Sequence, residues 1–443
     1  MASPLDAYAA EWTRAERARS SRGPEALRRL RESALHEFLS RGFPTTREEE
    51  WRFTSVAPIA DGRFSMPTES AESIVDIDIA GLRLPGEPAA ELVFIDGRFI
   101  AGLSRQSTLP RGVRVESLAA AVESRYPAIE PVLAHTASFE RQPFIALNTA
   151  FLSDGAWIEL PAGAIVVPPI HCLFIATGRA TGRMPMMHPR SLVVLGPNSQ
   201  ASILATYAGP AGAAYFTNAV TEIVLGENAV LQHVTLQHES ASACHVGATY
   251  LRAHRSATST LHAINTGAAL ARNDVVAQLN GEGIDCTLSG LYLADEERLV
   301  DNHTTIDHAQ PHCTSREIYK GILAERGHGV FNGKIVVRPD AQRTDARQTN
   351  RALLLSEDAQ IHTKPQLEIF ANDVKCTHGA AVGQLDDEAL FYLRSRGLSV
   401  VRARQLLIHA FASEVVSRLP FAPVRERVDA RLLRHLEQAR LAA

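Results

Sequence analysis

The spacing of apolar positions divides the chain into three textures. Near the N-terminus and after about residue 385, apolar residues recur every three or four positions, the period of an amphipathic helix. Between about residues 143 and 383 they come in short β-rich runs such as AIVVPPIHCLFIA, CTLSGLYLA, REIYKGILA and GKIVVRP, parted by Gly, Asn, Asp and Pro. No helix of ordinary length is expected in that span. VVLGPNSQASI (193–203) and IVLGENAVLQH (223–233) nearly repeat, with Gly196 and Gly226 standing 30 residues apart. Strand repeats of this length suggest a solenoid. Gly/Asn corners with strands of four to six residues suit a β-helix; a β-sandwich is the competitor. The predicted fold is mainly β, a parallel β-helix core at 143–383. A helical region at 1–60 and a mixed α/β region at 61–142 precede it, and a helical domain at 384–443 follows.

The flanks read in more detail. Two helices are expected within 5–40. Pro24 starts the second, and Leu27, Leu30, Ala34, Leu35 and Phe38 form its apolar stripe. In the following REEEWRF, Trp51 and Phe53 are expected to pack that segment onto the body of the protein. ELVFI-DG-RFI reads as a hairpin turning on Asp96-Gly97, and VESLAAAVES (115–124) as a short helix. At the C-terminus, DDEALFYLRSR is a helix opened by acidic residues and closed by Gly397. Ser399 caps the next, with Ala403, Leu406, Leu407, Ala410, Phe411 and Val415 on one side. A third covers about 423–441, with Val424, Val428, Leu432 and Leu436. These helices would cap the open end of the solenoid or offer a surface to a partner.

At the seam lies KPQLEIFANDVKCTHGAAVG, residues 364–383. Alternation puts Leu367, Ile369 and Ala371 on one strand face. Asn372-Asp373 breaks the run. Val374, Cys376, His378, Ala380 and Val382 then share a face, so a thiol and an imidazole stand two residues apart and point the same way. Both are metal-ligand types, but two donors do not complete a four-coordinate site. A thiol beside a hydrogen-bonded imidazole in a core is the bland alternative.

Net charge is −4 with a pI near 6.5, which argues against nucleic-acid binding through a basic surface. Five scattered cysteines without a CxxC suggest reduced thiols in a cytoplasmic protein. The N-terminus lacks the apolar core of a secretion signal, and no run of about 18 apolar residues predicts a membrane span. GHGVFNGK (327–334) has His328 where a phosphate loop needs Gly and Ile335 where it needs Ser or Thr, so no ATP site is expected in this chain. Thirteen of 17 histidines lie between 171 and 378. DNHTTIDHAQPHC (301–313) gathers His303, His308, His312 and Cys313 with Asp301 and Asp307, at spacings matching no standard zinc pattern; hydrogen-bonded loop histidines are expected there. Asp301, Asp307, Glu317 and Asp340 are the acidic candidates for a different reading, a β-helix carbohydrate-active enzyme.

KPQLEIFANDVKCTHGAAVGQLDDEALFYLRSRG resembles the C-terminal signature of the SufB/SufD family, scaffold subunits of the SUF iron–sulfur cluster assembly system, and its DVKCTHG form is SufD-like. EEEWRFTSV, VFIDGRF and FIALNTAFLSDGAWIELPAG agree, and the resemblance spans about residues 47–419. It implies a right-handed parallel β-helix between helical domains, in a chain that is not itself an enzyme. It implies pairing with SufB through the C-terminal end of the β-helix, and docking of the SufC ATPase on the C-terminal helices. His378 would be a ligand of a transient iron–sulfur cluster shared with SufB; Cys376 matches the motif's Cys, whose role is less settled. Imidazole can replace thiolate on a cluster iron. The resemblance leaves open flavin binding and whether the isolated chain forms a homodimer. A purely architectural platform, with Cys376 and His378 as packing residues, is the remaining alternative.

Overall fold

The computed structural model describes residues 3–19, 24–67, 79–178 and 182–438. From Arg190 onward the chain winds through seven coils, each laying one strand in each of two parallel sheets. The first sheet runs Arg190–Leu195, Phe216–Leu225, Cys244–Ala253, Leu270–Leu279, Leu299–His308, His328–Val337 and Gln360–Ile369. The second runs Gln200–Ala208, Val230–His238, Thr258–Asn265, Asp285–Ala294, Thr314–Leu323, Asp345–Leu354 and Lys375–Gly383. Gln200 pairs with Val230, so one coil takes 30 residues here. The near-repeat marks equivalent corners: Asn198 and Asn228 both sit at φ 56, and the Asn228 side chain donates to Asn198 Oδ1 at 3.1 Å. Asn tolerates that left-handed conformation better than most residues.

Most of the inner strands span eight to ten residues, not the expected four to six. Apolar runs mark only part of each strand because the interior is not uniformly apolar. LVDNHTTIDH is a ten-residue strand with two aliphatic residues at its start and one near its end, yet Asn302, Thr304 and His308 are buried. Hydrogen bonds across the interior replace hydrophobic alternation: Asn265 Nδ2 donates to Asn302 Oδ1, and His308 Nε2 meets Ser315 Oγ at 2.9 Å. Aligned aromatics fill other rungs. Gly290 pairs in register with Tyr319, and Tyr292 with Gly321, so each ring lies over the other coil's glycine.

The N-terminal flank seals the first coil and coats the first sheet. Ala90–Ile95 pairs parallel with Ile170–Ile175 and turns at Asp96-Gly97 into an antiparallel partner, the expected hairpin. The helix at 115–124 starts later than expected: Arg114–Ser117 is a strand and Ser117 caps Leu118–Ile129. Pro143–Phe151 is a helix within the span where none was expected. Every residue of PFIALNTAF is buried, so it carries no polar face to betray a helical period. Arg190 and Glu222 form a buried pair at 2.7 Å above it, and Asn148 and Thr149 take up a further guanidinium nitrogen. Glu25–Arg41 buries Leu27, Ala34 and Phe38 as expected. Trp51 is buried with the Arg272 guanidinium 3.7 Å above its ring, and Phe53 stacks on His362 at 3.8 Å.

The C-terminal helices do not cap the solenoid's end. Val400–Val416 and Ala422–Gln438 lie along the outer face of the second sheet, over Leu204, Val234, Leu236, Ile264, Leu291 and Ile322. Lys320 fixes this dock, donating to Phe411 O at 2.8 Å. The buried stripe is Ala403, Ile408, Ala412, Val415 and Val416, while Leu406 is exposed. VVRARQLLIHAFASEVV is apolar around most of its circumference, so the sheet it meets decides which stripe is buried. The third helix buries Val424, Val428 and Leu432; the Leu436 side chain and residues 439–441 assigned to that helix lie outside the described residues.

A Cβ at Gly290 would sit 2.2 Å from the Tyr319 ring, which the stacked coils hold in place. Gly290→Ala should therefore cost about 1–3 kcal/mol, read as a lower urea midpoint at unchanged slope. A midpoint equal to wild type would show that the rungs repack freely.

Candidate metal centre at the open end of the solenoid

Each strand of the core is hydrogen-bonded to the coil before it and the coil after it. Gln360–Ile369 and Lys375–Gly383 are bonded on one side only; among the described residues no strand meets their far edges. Exposure follows: Ile369 and Val382 are 40% and 47% exposed, whereas Val337 and Ala352, their register partners one coil earlier, are buried.

Cys376 and His378 lie on the last of these strands, on the face that lines the interior. Register places Cys376 beside Ala346 and His378 beside Gln348. Cys376 is half-buried against Ile335, Val337, Ala341 and Ala371. Burial raises its thiol above the ordinary range, so a metal or a partner's positive charge would be needed to favour the thiolate. His378 is exposed and makes no hydrogen bond or ion pair among the described residues. Alternate residues on a strand stand about 7 Å apart, a spacing two ligands can share around a small inorganic cluster. The predicted break at Asn372-Asp373 is present, between Ile369 and Lys375. Among the described residues no group of three or more His, Cys, Asp or Glu is placed to hold a metal. Cys376 and His378 are thus a partial donor set at an unpaired edge.

Behind His378 runs a column of interior residues: Ile203, His233, Leu261, Leu288, Glu317, Gln348, His378, one from each coil. Gln348 Nε2 donates to Glu317 Oε2 at 2.7 Å. Burial pushes the Glu317 carboxyl up to about 7. Sequence reasoning did not find this pair, because nothing in REIYKGILA shows which alternate face is interior.

The histidines at 303–312 do not gather. His303 and His308 belong to a strand, not the expected loop, and point to opposite faces; only His312 sits in a turn, at φ 61. Cys313 is buried and directs Sγ at Gly281 O. His303 lies on the outer face beneath the REEEWRF strap, with Nε2 3.0 Å from Asp301 and Nδ1 3.1 Å from Glu50. Arg272 binds the other side of Asp301 at 2.9 Å. The acidic quartet is scattered too. Asp301 is buried under the strap, Asp307 pairs with Arg338, Glu317 is interior, and Asp340 is in an exposed turn.

Comparison with known proteins covers nearly the whole chain. The family model described as "SUF system FeS cluster assembly, SufBD core domain" matches residues 175–411. The one described as "SufBD protein N-terminal region" matches residues 4–172. The chain is similar to the iron–sulfur cluster assembly protein SufD of Escherichia coli, 31% identical over 93% of this chain and 93% of that protein. It is 34% identical to an iron–sulfur cluster assembly SufBD family protein of Synechocystis, over 87% of this chain and 86% of that one. A chloroplastic protein of Arabidopsis thaliana, ABCI7, is 31% identical over 90% of this chain and 84% of its own length.

His303 generates a pH prediction. Burial opposes its charge, but Asp301 and Glu50 outweigh that and raise its pKa to about 9, above the ordinary 6.5. A raised imidazole contributes stability that is complete below pH 6.5 and is lost as pH rises through 9. Thermal unfolding should show wild-type stability falling across that window, and His303→Gln should flatten the fall. Equal slopes would remove His303 from the strap's anchoring.

Proposed function

Since the chain belongs to the SufBD family of SUF-system iron–sulfur cluster assembly proteins, we propose that it is a scaffold subunit without ATPase activity, offering part of an inter-subunit site for a nascent cluster. The observation that carries this reading is the coincidence of the solenoid's unpaired edge with the Cys376/His378 donor pair. The edge seeks strands and the donors seek further ligands. A SufB-like paralogue ending in the same way satisfies both at once. In isolation the same edge would pair two copies of this chain.

His378 supplies the imidazole. It is accessible, and its neutral form is the one that ligates, so cluster retention should weaken under acid conditions. Cys376 is the secondary donor, since its packing must loosen before its sulfur faces outward. The cluster is cargo, held long enough to be passed on, and a ligand set divided between chains suits release. The SufC-type ATPase docks on the C-terminal helices, where Phe391, Tyr392, Val400, Val401 and Leu406 remain exposed beside the stripe buried on the sheet. Large apolar side chains left exposed together on these helices suit a protein partner. Assembly is proposed to take place in the cytoplasm; no helix among the described residues is long and apolar enough to cross a membrane. The packing of Cys376 favours one element of a second reading, in which that residue is architectural.

Co-expression of the tagged chain with its host's SufB- and SufC-like proteins, anaerobic pull-down and iron/sulfide analysis test the proposal. Wild type should carry both elements in a three-protein complex. His378→Ala should bring down the same proteins with iron and sulfide at background. Equal iron and sulfide in the two would reduce the strand to packing, and absence of any complex would remove the scaffold reading.

A further inference from the structure

The interior column ends in a hydrogen bond that is half made. Gln348 is 2% exposed, and its amide nitrogen is committed to Glu317. Above pH 7, where Glu317 is ionised, its carboxylate only accepts, so the donating end of the amide must face it and the accepting end faces elsewhere. Gln348 Oε1 is buried and has no hydrogen-bond partner among the described residues. A buried acceptor left without a donor is unfavourable. The next residue of the column, on the adjoining strand, is His378, about 4.8 Å away across the sheet.

Asn350, the next inward residue on the same strand, spends its side-chain N–H on Thr363 Oγ1 at 2.8 Å. Ala380 and Val382 carry no donor on their side chains. The facing sheet is shaped around the amide. Gly333 lies opposite, and a Cβ there would sit 2.2 Å from Gln348 Nε2 and 2.7 Å from the Phe331 ring. This accounts for a glycine of GHGVFNGK, which serves no phosphate loop.

We propose that Gln348, held by Glu317, is a positioning residue for His378: the exposed imidazole, unbonded as it stands, turns to donate one ring N–H to Gln348 Oε1, which fixes the tautomer and leaves the other ring nitrogen's lone pair directed out of the solenoid's open end. Metal-binding histidines are commonly oriented in this way by an acceptor on their second nitrogen, and loss of that acceptor typically weakens binding 10–100-fold. The inference rests on the reading of His378 as a cluster ligand, yet its own readout needs no cluster.

The chain labelled with ¹⁵N-histidine is compared as wild type and Gln348→Leu at pH 8, with His378 signals identified by their absence in His378→Ala. Wild type should show one neutral tautomer of His378 with a ring N–H proton protected from exchange. Gln348→Leu should show averaged nitrogen shifts and no protected proton. If that variant fails to fold, because Glu317 loses its partner, Glu317→Leu combined with Gln348→Leu removes both polar groups together and should give the same averaged ring. A single protected tautomer that persists in either variant overturns the proposal. In the co-purified complex, Gln348→Leu should retain iron 10–100-fold more weakly than wild type. Iron retention unchanged in His378→Ala, with the ring signals behaving as described, would uphold the positioning and overturn only the ligand reading.

Discussion

A parallel solenoid satisfies its backbone only by stacking. Each inner strand of this core donates to and accepts from the strand on either side of it, and no strand is complete within its own coil. The stack ends at the last coil, whose two outer rows of backbone groups meet no strand among the described residues. At the other end the problem is solved within the molecule, by Ala90–Ile95 and its hairpin partner closing one sheet and Arg114–Ser117 closing the other. At the C-terminal end it is not. The helices that could have covered that edge are laid along the flank of the second sheet instead. An edge left open, in a protein otherwise thorough about its edges, is where the proposed pairing with a paralogue would fall.

The two helical coats divide the labour. The N-terminal helices and the REEEWRF strap cover the first sheet, using ion pairs where they cross it: Glu50 and Asp301 on His303, Lys364 on Glu49. The C-terminal helices cover the second sheet with aliphatic contact and retain an apolar surface of their own. The interior between the sheets is kept narrow by Gly–Tyr rungs and threaded with buried amides and hydroxyls. The interior column turns polar at its last three members, Glu317, Gln348 and His378, and His378 is the outermost.

The repeat, the hairpin, the capped helices and the Cys376/His378 face were all legible in the sequence because each depends on local chemistry: Gly and Asn at corners, Asp-Gly at a turn, Asp386 and Ser399 as caps, alternation on a strand. What failed depends on contacts made far along the chain. The strands were read too short because a polar interior erases alternation in LVDNHTTIDH. The helix Pro143–Phe151 was missed because burial on all sides erases the helical period. His303 reads as a loop residue because Thr54 and Glu50, which roof the Asp301/His303 face, lie some 250 residues earlier, and His308 because its interior partner Ser315 belongs to the next strand. The Glu317–Gln348 pair was invisible because 31 residues separate partners that only coil register brings together.

The account's central claim is that an imidazole from this chain reaches iron at the solenoid's open end. Pulsed electron paramagnetic resonance of the reduced, cluster-loaded complex tests it most directly, with ¹⁵N-histidine incorporated into this chain alone. The account predicts one ¹⁵N coupling to the cluster spin, present in wild type and absent in His378→Ala. A cluster spin with no histidine nitrogen coupling from this chain, or a coupling that survives His378→Ala, would contradict it.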